Sequence, residues 1–124
     1  MKKIGLIAIG SYVPENKLTN ADLEKMVDTT DQWITTRTGI KERRIAFDQM
    51  YASDLAARAA EDCLAQIDYR PELLISSSST AEKSCPYQAS IVAHKMNLTN
   101  FAAFDINAPC SGLIYSLAVA WSLM

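Results

Sequence analysis

From Ser53 to the last residue, the sequence alternates between two periodicities, and this alternation limits the folds open to it. Ser53 opens a helical stretch in which Ala56, Ala59, Ala60, Cys63, Leu64 and Ile67 recur on one face, with Arg58, Glu61 and Asp62 largely opposite. Pro71 breaks it, and Leu73-Leu74-Ile75 begins a strand that runs into the polar stretch Ser76–Thr80. Pro86 suits the first turn of a second helix ending near Asn97, a residue that tolerates a left-handed cap. Ala102–Ile106 reads as another strand, Asn107-Ala108-Pro109 as a tight turn, and Cys110 onward as an apolar helix. Strands alternating with helices imply crossover connections and an α/β fold with a mainly parallel sheet.

The N-terminal part is less regular. Lys3–Ile9 reads as a buried strand closed by Gly10, followed by a turn at Ser11–Asn16. Thr19 with Asp22 three residues later is a helix start, and Leu23, Met26 and Val27 supply an apolar stripe. Thr30-Asp31 caps a second short helix carrying Trp33, Ile34 and Arg37, which Thr38-Gly39 ends. Three strands with their helices are only part of a doubly wound domain. The helix Ser111–Met124 is apolar nearly throughout and reaches the last residue without a C-cap signal. An all-round apolar helix belongs inside a larger protein, so a covering partner or further chain is expected.

Composition narrows the function classes. Twelve basic and 14 acidic residues give a formal charge of −2, which argues against a nucleic-acid binder held by backbone charge. The cluster Lys41, Arg43 and Arg44, interrupted by Glu42, reads as a solvated face. No segment approaches the roughly 20 apolar residues of a membrane helix. Residues 1–10 faintly resemble a signal peptide, but Gly5 and Gly10 break the apolar run and no cleavage pattern follows. A cytoplasmic protein is expected. There is no G-x-G-x-x-G motif and no phosphate-loop Gly-Lys.

Cys110 carries the most chemical information. It follows a strand and a Pro-containing turn at the start of a helix, where unpaired amides and the positive helix end favour a thiolate. Gly112 permits close approach of a substrate or a neighbouring backbone. The ordinary alternative is a small buried apolar residue. Cys63 reads as core, whereas Cys85, before Pro86, could be a surface, interface or channel residue. The single histidine, His94, lies within a helix beside Lys95, where an exposed or partly packed ring is the usual outcome. No two of Cys63, Cys85, His94 and Cys110 have the spacing of a zinc-ligand pair, so no metal is expected. Trp33 and Arg37, four residues apart, present an aromatic plane beside a guanidinium. That pair suits a ligand with a base and phosphates; a half-buried Trp under an Arg stem is the ordinary alternative.

Taken together these residues resemble a known family. Thr19-Asn20-Ala21-Asp22-Leu23-Glu24-Lys25-Met26-Val27-Asp28-Thr29, then Asp31-Gln32-Trp33-Ile34 and Thr36-Arg37-Thr38-Gly39-Ile40-Lys41-Glu42-Arg43-Arg44-Ile45, resemble the opening of β-ketoacyl-acyl carrier protein synthase III. Phe104-Asp105-Ile106-Asn107-Ala108-Pro109-Cys110-Ser111-Gly112 resembles its nucleophile segment, a pattern shared more widely among thiolase-fold enzymes. The resemblance implies a thiolase-like fold of two related α/β halves, with residues 1–124 a partial N-terminal domain, and a homodimeric enzyme that initiates fatty acid synthesis. It implies that an acyl group passes from coenzyme A to Cys110. Malonyl-acyl carrier protein then decarboxylates and attacks the thioester. Trp33 would stack on the adenine of coenzyme A, and Thr29 and Arg37 would contact the same nucleotide end. No metal or redox cofactor is implied; the coenzyme A thioester is a substrate.

Three departures stand out. The family's catalytic His and Asn lie far downstream of the Cys, beyond these 124 residues, and His94 is not at that His position, so this stretch alone is not expected to complete the reaction. Cys85 stands where a bulky Phe often reaches the partner's acyl pocket, which bears on acyl specificity, and Leu113 stands where an aromatic residue is common. Two rivals remain: an inactive interaction subunit that needs a second chain, and a thiolase-fold enzyme of hydroxymethylglutaryl or polyketide type. The Trp33/Arg37 block favours synthase III over those relatives.

Overall fold

The computed structural model describes residues 4–46 and 49–124. The chain divides into two compact units, one spanning residues 13–50 and the other joining the segment before Val13 to residues 51–124.

In the smaller unit, β1 (Lys17–Thr19) leads directly into α1 (Asn20–Leu23), and α2 (Asp31–Thr38) is followed by β2 (Glu42–Arg44). The two strands pair antiparallel, Lys17 opposite Arg44 and Thr19 opposite Glu42. Ile45 N–H to Asn16 O and Asn20 N–H to Lys41 O, both 3.1 Å, extend the pairing at its ends. Thr19 and Asp22 form the expected reciprocal capping box: Thr19 Oγ1 accepts from the Asp22 amide, and the Asp22 carboxylate accepts from the Thr19 amide. The expected apolar stripe does not form. After one turn the amides of Lys25 and Met26 bond three residues back rather than four, and the tighter winding carries Met26 and Val27 off the Leu23 face into solvent.

Thr30 caps α2 as expected, accepting from Trp33 N–H, and Gly39 closes it at φ 73°, a conformation that favours glycine. The basic cluster is not simply a solvated face. Arg44 donates to the carbonyls of Pro14 and Glu15, and half-buried Arg43 donates to Leu18 O and to the side chain of Asn20. Two of the three cations therefore stitch the unit together.

The larger unit follows the expected alternation: α3 (Ala52–Leu64), β3 (Leu73–Ser77), α4 (Gln88–Lys95), β4 (Ala102–Ile106) and α5 (Gly112–Leu123). β3 and β4 are parallel and in step, from Leu73 opposite Ala102 to Ser77 opposite Ile106. Side chains alternate across the pleat, so the strands have two distinct faces. Leu74 faces Cys63 and Leu64 of α3, and Asp105, opposite Ser76, reaches α4. Leu73 and Ile75 face Leu113 and Leu117 of α5. On the first face α3 and α4 meet through small residues: Ala57, Ala89, Val92 and Ala93 are buried.

Pro86 lies before α4 rather than in its first turn, and Tyr87 occupies the cap position without a side-chain cap bond. The missing acceptor comes from β4. The Asp105 carboxylate accepts from the amides of Gln88 at 2.8 Å and Ala89 at 2.7 Å, a charge-assisted cap at the positive helix end. A second polar cluster joins α3, α4 and the segment between β3 and α4. Lys95 Nζ donates to Asp54 Oδ1 at 2.5 Å and to Ser53 Oγ at 2.7 Å, while Ser53 Oγ donates to Glu82 Oε2 at 2.8 Å. The Lys95 ammonium, followed by the Tyr51 amide, holds the Asp54 carboxyl below the usual carboxylate range.

The expected N-terminal strand does not form among the described residues. Of Lys3–Ile9, Lys3 lies outside the described residues. The remainder joins no hydrogen-bonded ladder, and Leu6, Ile7 and Ile9 are exposed. An apolar run becomes a strand only when a neighbour accepts and donates its backbone bonds, and none of the described segments does so here.

Candidate active site

The parallel strands place two loops on one edge. The segment after β3 begins at Ser78 and carries Cys85; the turn after β4 carries Cys110. In open parallel sheets, chemistry collects at this carboxyl end of the strands. Cys110 lies in the turn immediately before Ser111, the N-cap of α5, and is exposed. Ser111 makes no side-chain cap bond; in the first turn of α5 the Gly112 amide donates to Pro109 O at 3.5 Å, and the helix leaves its next amides without intrahelical acceptors.

Gly112 fixes how closely this turn sits over the sheet. It is buried, and a Cβ there would fall inside the envelope of Ser77 Oγ and within 2.8 Å of Ser77 Cβ. The close approach is made by a side chain at the end of β3, where a substrate or a neighbouring backbone was expected. Cys85 is exposed as well, whereas Cys63 is partly buried on α3 beside Leu64, Leu74 and Phe101. His94 is exposed on α4. Among the described residues, no group of three or more His, Cys, Asp or Glu is placed to hold a metal ion.

The second group of candidates belongs to the smaller unit. Trp33 is 56% exposed, with the Arg37 guanidinium carbon 5.4 Å from its ring centroid. The indole stands between two shallow depressions. One, about 260 Å³, is lined by Asp28, Thr29, Thr30 and Trp33; the other, about 310 Å³, by Thr30, Gln32, Trp33, Thr36 and Arg37. Thr29, Trp33 and Arg37 therefore share one surface. The ring is about half exposed with the Arg37 guanidinium over it, so an aromatic and a cationic surface lie together. A larger groove, about 520 Å³ and mainly apolar, runs between Leu73 and Ile75 and the α5 residues Leu113, Leu117 and Leu123. It does not include Cys110.

No family model matches the chain. Over 119 residues the chain is 50% identical to β-ketoacyl-[acyl-carrier-protein] synthase III of Caldanaerobacter subterraneus subsp. tengcongensis, covering 94% of this chain and 36% of that protein. It is 48% identical over 128 residues to the protein of the same name from Campylobacter jejuni strain RM1221, covering all of this chain and 40% of the relative. The crystal structure of 3-oxoacyl-[acyl-carrier-protein] synthase III from Aquifex aeolicus VF5 superposes with a TM-score of 0.88 at 46% identity, over 94% of this chain and 38% of that one. Along its whole length the chain matches proteins of the β-ketoacyl-[acyl-carrier-protein] synthase III family. Its fold is the family's thiolase-like α/β architecture, in part: the chain spans under half the length of the synthase III relatives it matches.

Sequence reasoning missed two residues that hold these elements in place. Asn20 is 2% exposed and bonded to Asp31, Ile40 and Arg43, and Asp105 caps α4. Both sit inside the segments that resemble synthase III, but a single sequence does not show which polar side chains turn inward.

Proposed function

We propose that this chain carries the acyl-accepting nucleophile and part of the coenzyme A surface of a condensing enzyme that initiates fatty acid synthesis. The reading rests on exposed Cys110, set in the turn before α5, in a chain about half identical to synthases of this name. In the first step the Cys110 thiolate attacks the thioester carbonyl of acyl-coenzyme A. Backbone amides at the N-terminus of α5 stabilise the developing oxyanion. The intermediate collapses by breaking the C–S bond to coenzyme A, whose thiolate leaves and takes a proton. In the second step malonyl-acyl carrier protein loses carbon dioxide, and its enolate carbon attacks the Cys110 thioester. That releases the Cys110 thiolate and β-ketoacyl-carrier protein. Trp33 stacks on the adenine, with Thr29 and Arg37 at the same nucleotide end.

The second step needs donors for the enolate oxygen. The single histidine here, His94, is exposed on α4, and we assign those donors to residues outside these 124. The family resemblance supports a cytoplasmic homodimer that meets acyl carrier protein. Among the described residues no helix is long and apolar enough to cross a membrane.

The test is acylation. The 124-residue chain incubated with acetyl-coenzyme A should carry a slow acetyl label on the Cys110 peptide, absent in Cys110→Ser, and should form no β-ketoacyl product from malonyl-carrier protein. Trp33→Ala should weaken coenzyme A binding by about 1–3 kcal/mol, the scale of base–aromatic stacking. Acetyl label on Cys63 or Cys85 with Cys110 unmodified would overturn the nucleophile assignment. Full condensation by this chain alone would overturn the division of labour.

A further inference from the structure

The helix that presents Trp33 and Arg37 has little to hold it. Helix α2 has eight residues, below the length at which isolated helices are stable, and buries one side chain, Ile34. Its orientation therefore depends on polar ties at its ends: Glu24 Oε1 accepts from the Asp31 amide at 2.6 Å, Thr30 caps the first turn, and one residue reaches both ends. Asn20 Nδ2 donates to Asp31 Oδ1 at the first position of α2, 2.7 Å away, and to the carbonyl of Ile40 just beyond the Gly39 cap, 2.8 Å away. Its Oδ1 accepts both guanidinium nitrogens of Arg43, at 2.9 and 3.0 Å. The amide is thereby filled: both N–H donors are used, and the oxygen holds a cation from β2. One buried side chain grips both ends of the helix and anchors that grip to the small sheet.

We infer that Asn20 is a positioning residue for the Trp33–Arg37 surface, setting the angle at which ring and guanidinium are offered to a nucleotide. This rests on the coenzyme A reading of that surface, but its first consequence needs no ligand. Asn20→Asp keeps the size and the Arg43 contact while turning an N–H donor into an oxygen facing the Asp31 carboxylate and the Ile40 carbonyl. Both ties become repulsive, and α2 must swing or loosen. Asp31→Ala removes one tie from the exposed side, so it tests the same idea without altering a buried group.

The experiment uses the full chain with Trp121→Phe, which leaves Trp33 the sole indole. Acrylamide quenching of Trp33 fluorescence reads the ring's setting, and calorimetric titration with coenzyme A reads binding. Asn20→Asp should shift both the quenching constant and the emission maximum, and weaken coenzyme A about tenfold, the worth of one well-made hydrogen bond. In a Trp33→Ala, Arg37→Ala background the same substitution should no longer change affinity, because a positioning residue has nothing left to position. A purely structural role would instead cost the same in both backgrounds. Unchanged quenching and affinity in folded Asn20→Asp, or in folded Asp31→Ala should the first variant not fold, would overturn the inference. Altered quenching with no coenzyme A binding by any variant would keep the positioning role and remove the nucleotide reading.

Discussion

Replacing Gly112 by Ala tests how tightly the Cys110 turn is clamped to the sheet. The added methyl would lie inside the envelope of Ser77 Oγ and 2.8 Å from Ser77 Cβ. The hydroxyl can rotate away, but the Ser77 Cβ is fixed by the strand, so α5 or the end of β3 must move. Overpacking of this kind costs about 1–3 kcal/mol. Alanine in place of glycine in a helix returns roughly 0.5–1 kcal/mol. The net expectation is a loss of about 1–2 kcal/mol. Urea denaturation should show it as a lower midpoint with an unchanged slope. The diagnostic is the pair with Ser77→Gly, which removes the obstructing Cβ. In that background Gly112→Ala should become neutral or stabilising, a coupling expected only of residues in contact. Because Cys110 lies two positions away, its alkylation rate by iodoacetamide should change in the single variant and recover in the double. Additive energies, or a Gly112→Ala chain as stable as the parent, would refute the reasoning.

Other expectations follow from the same geometry. The Asp22 carboxyl, held down first by the Thr19 hydroxyl and then by Lys25, should titrate at about 2 instead of the ordinary 3.8. Since its folded value is the lower one, its contribution to stability is complete above 3.8 and is lost as pH falls through about 2. Carbon-detected NMR titration reads this directly, and an ordinary midpoint would contradict the capping box. Lys95→Met removes the ammonium from Ser53 and Asp54 and should cost about 1 kcal/mol, discounted for partial exposure; an unchanged urea midpoint would count against the cluster. The exposed Leu113, Ile114, Tyr115 and Trp121 of α5 should drive concentration-dependent self-association of the 124-residue chain. Sedimentation velocity reads this, and a strict monomer across the soluble range would contradict it.

The larger unit was legible in the sequence because its signals are local. Ala102–Ile106 falls where the structure puts β4, and α3 carries its charges Arg58, Glu61 and Asp62 outward. The Thr30 cap and Gly39 stop of α2 are equally local. What failed depends on partners distant in sequence. The apolar run through Ile9 satisfies the strand pattern but finds no ladder, while Lys17–Thr19, too short to register as a pattern, becomes a strand through Glu42–Arg44. Arg43 reads as surface until Asn20 is known to be beneath it. The candidate site divides the same way. Cys110, Trp33 and Arg37 stand out by residue type and spacing, whereas Asn20 and Asp105 become visible only once the chain has closed on itself.

The Asp105 cap ties two events that would otherwise be separate. Helix α4, at eight residues, is too short to persist in an unfolded chain, and its leading amides at Gln88 and Ala89 wait for a carboxylate 17 and 16 positions downstream. That carboxylate is delivered only when β4 has docked in register beside β3. The crossover therefore assembles as one cooperative foldon, in which the protection of α4 amides against hydrogen exchange rises and falls with that of the β3–β4 ladder.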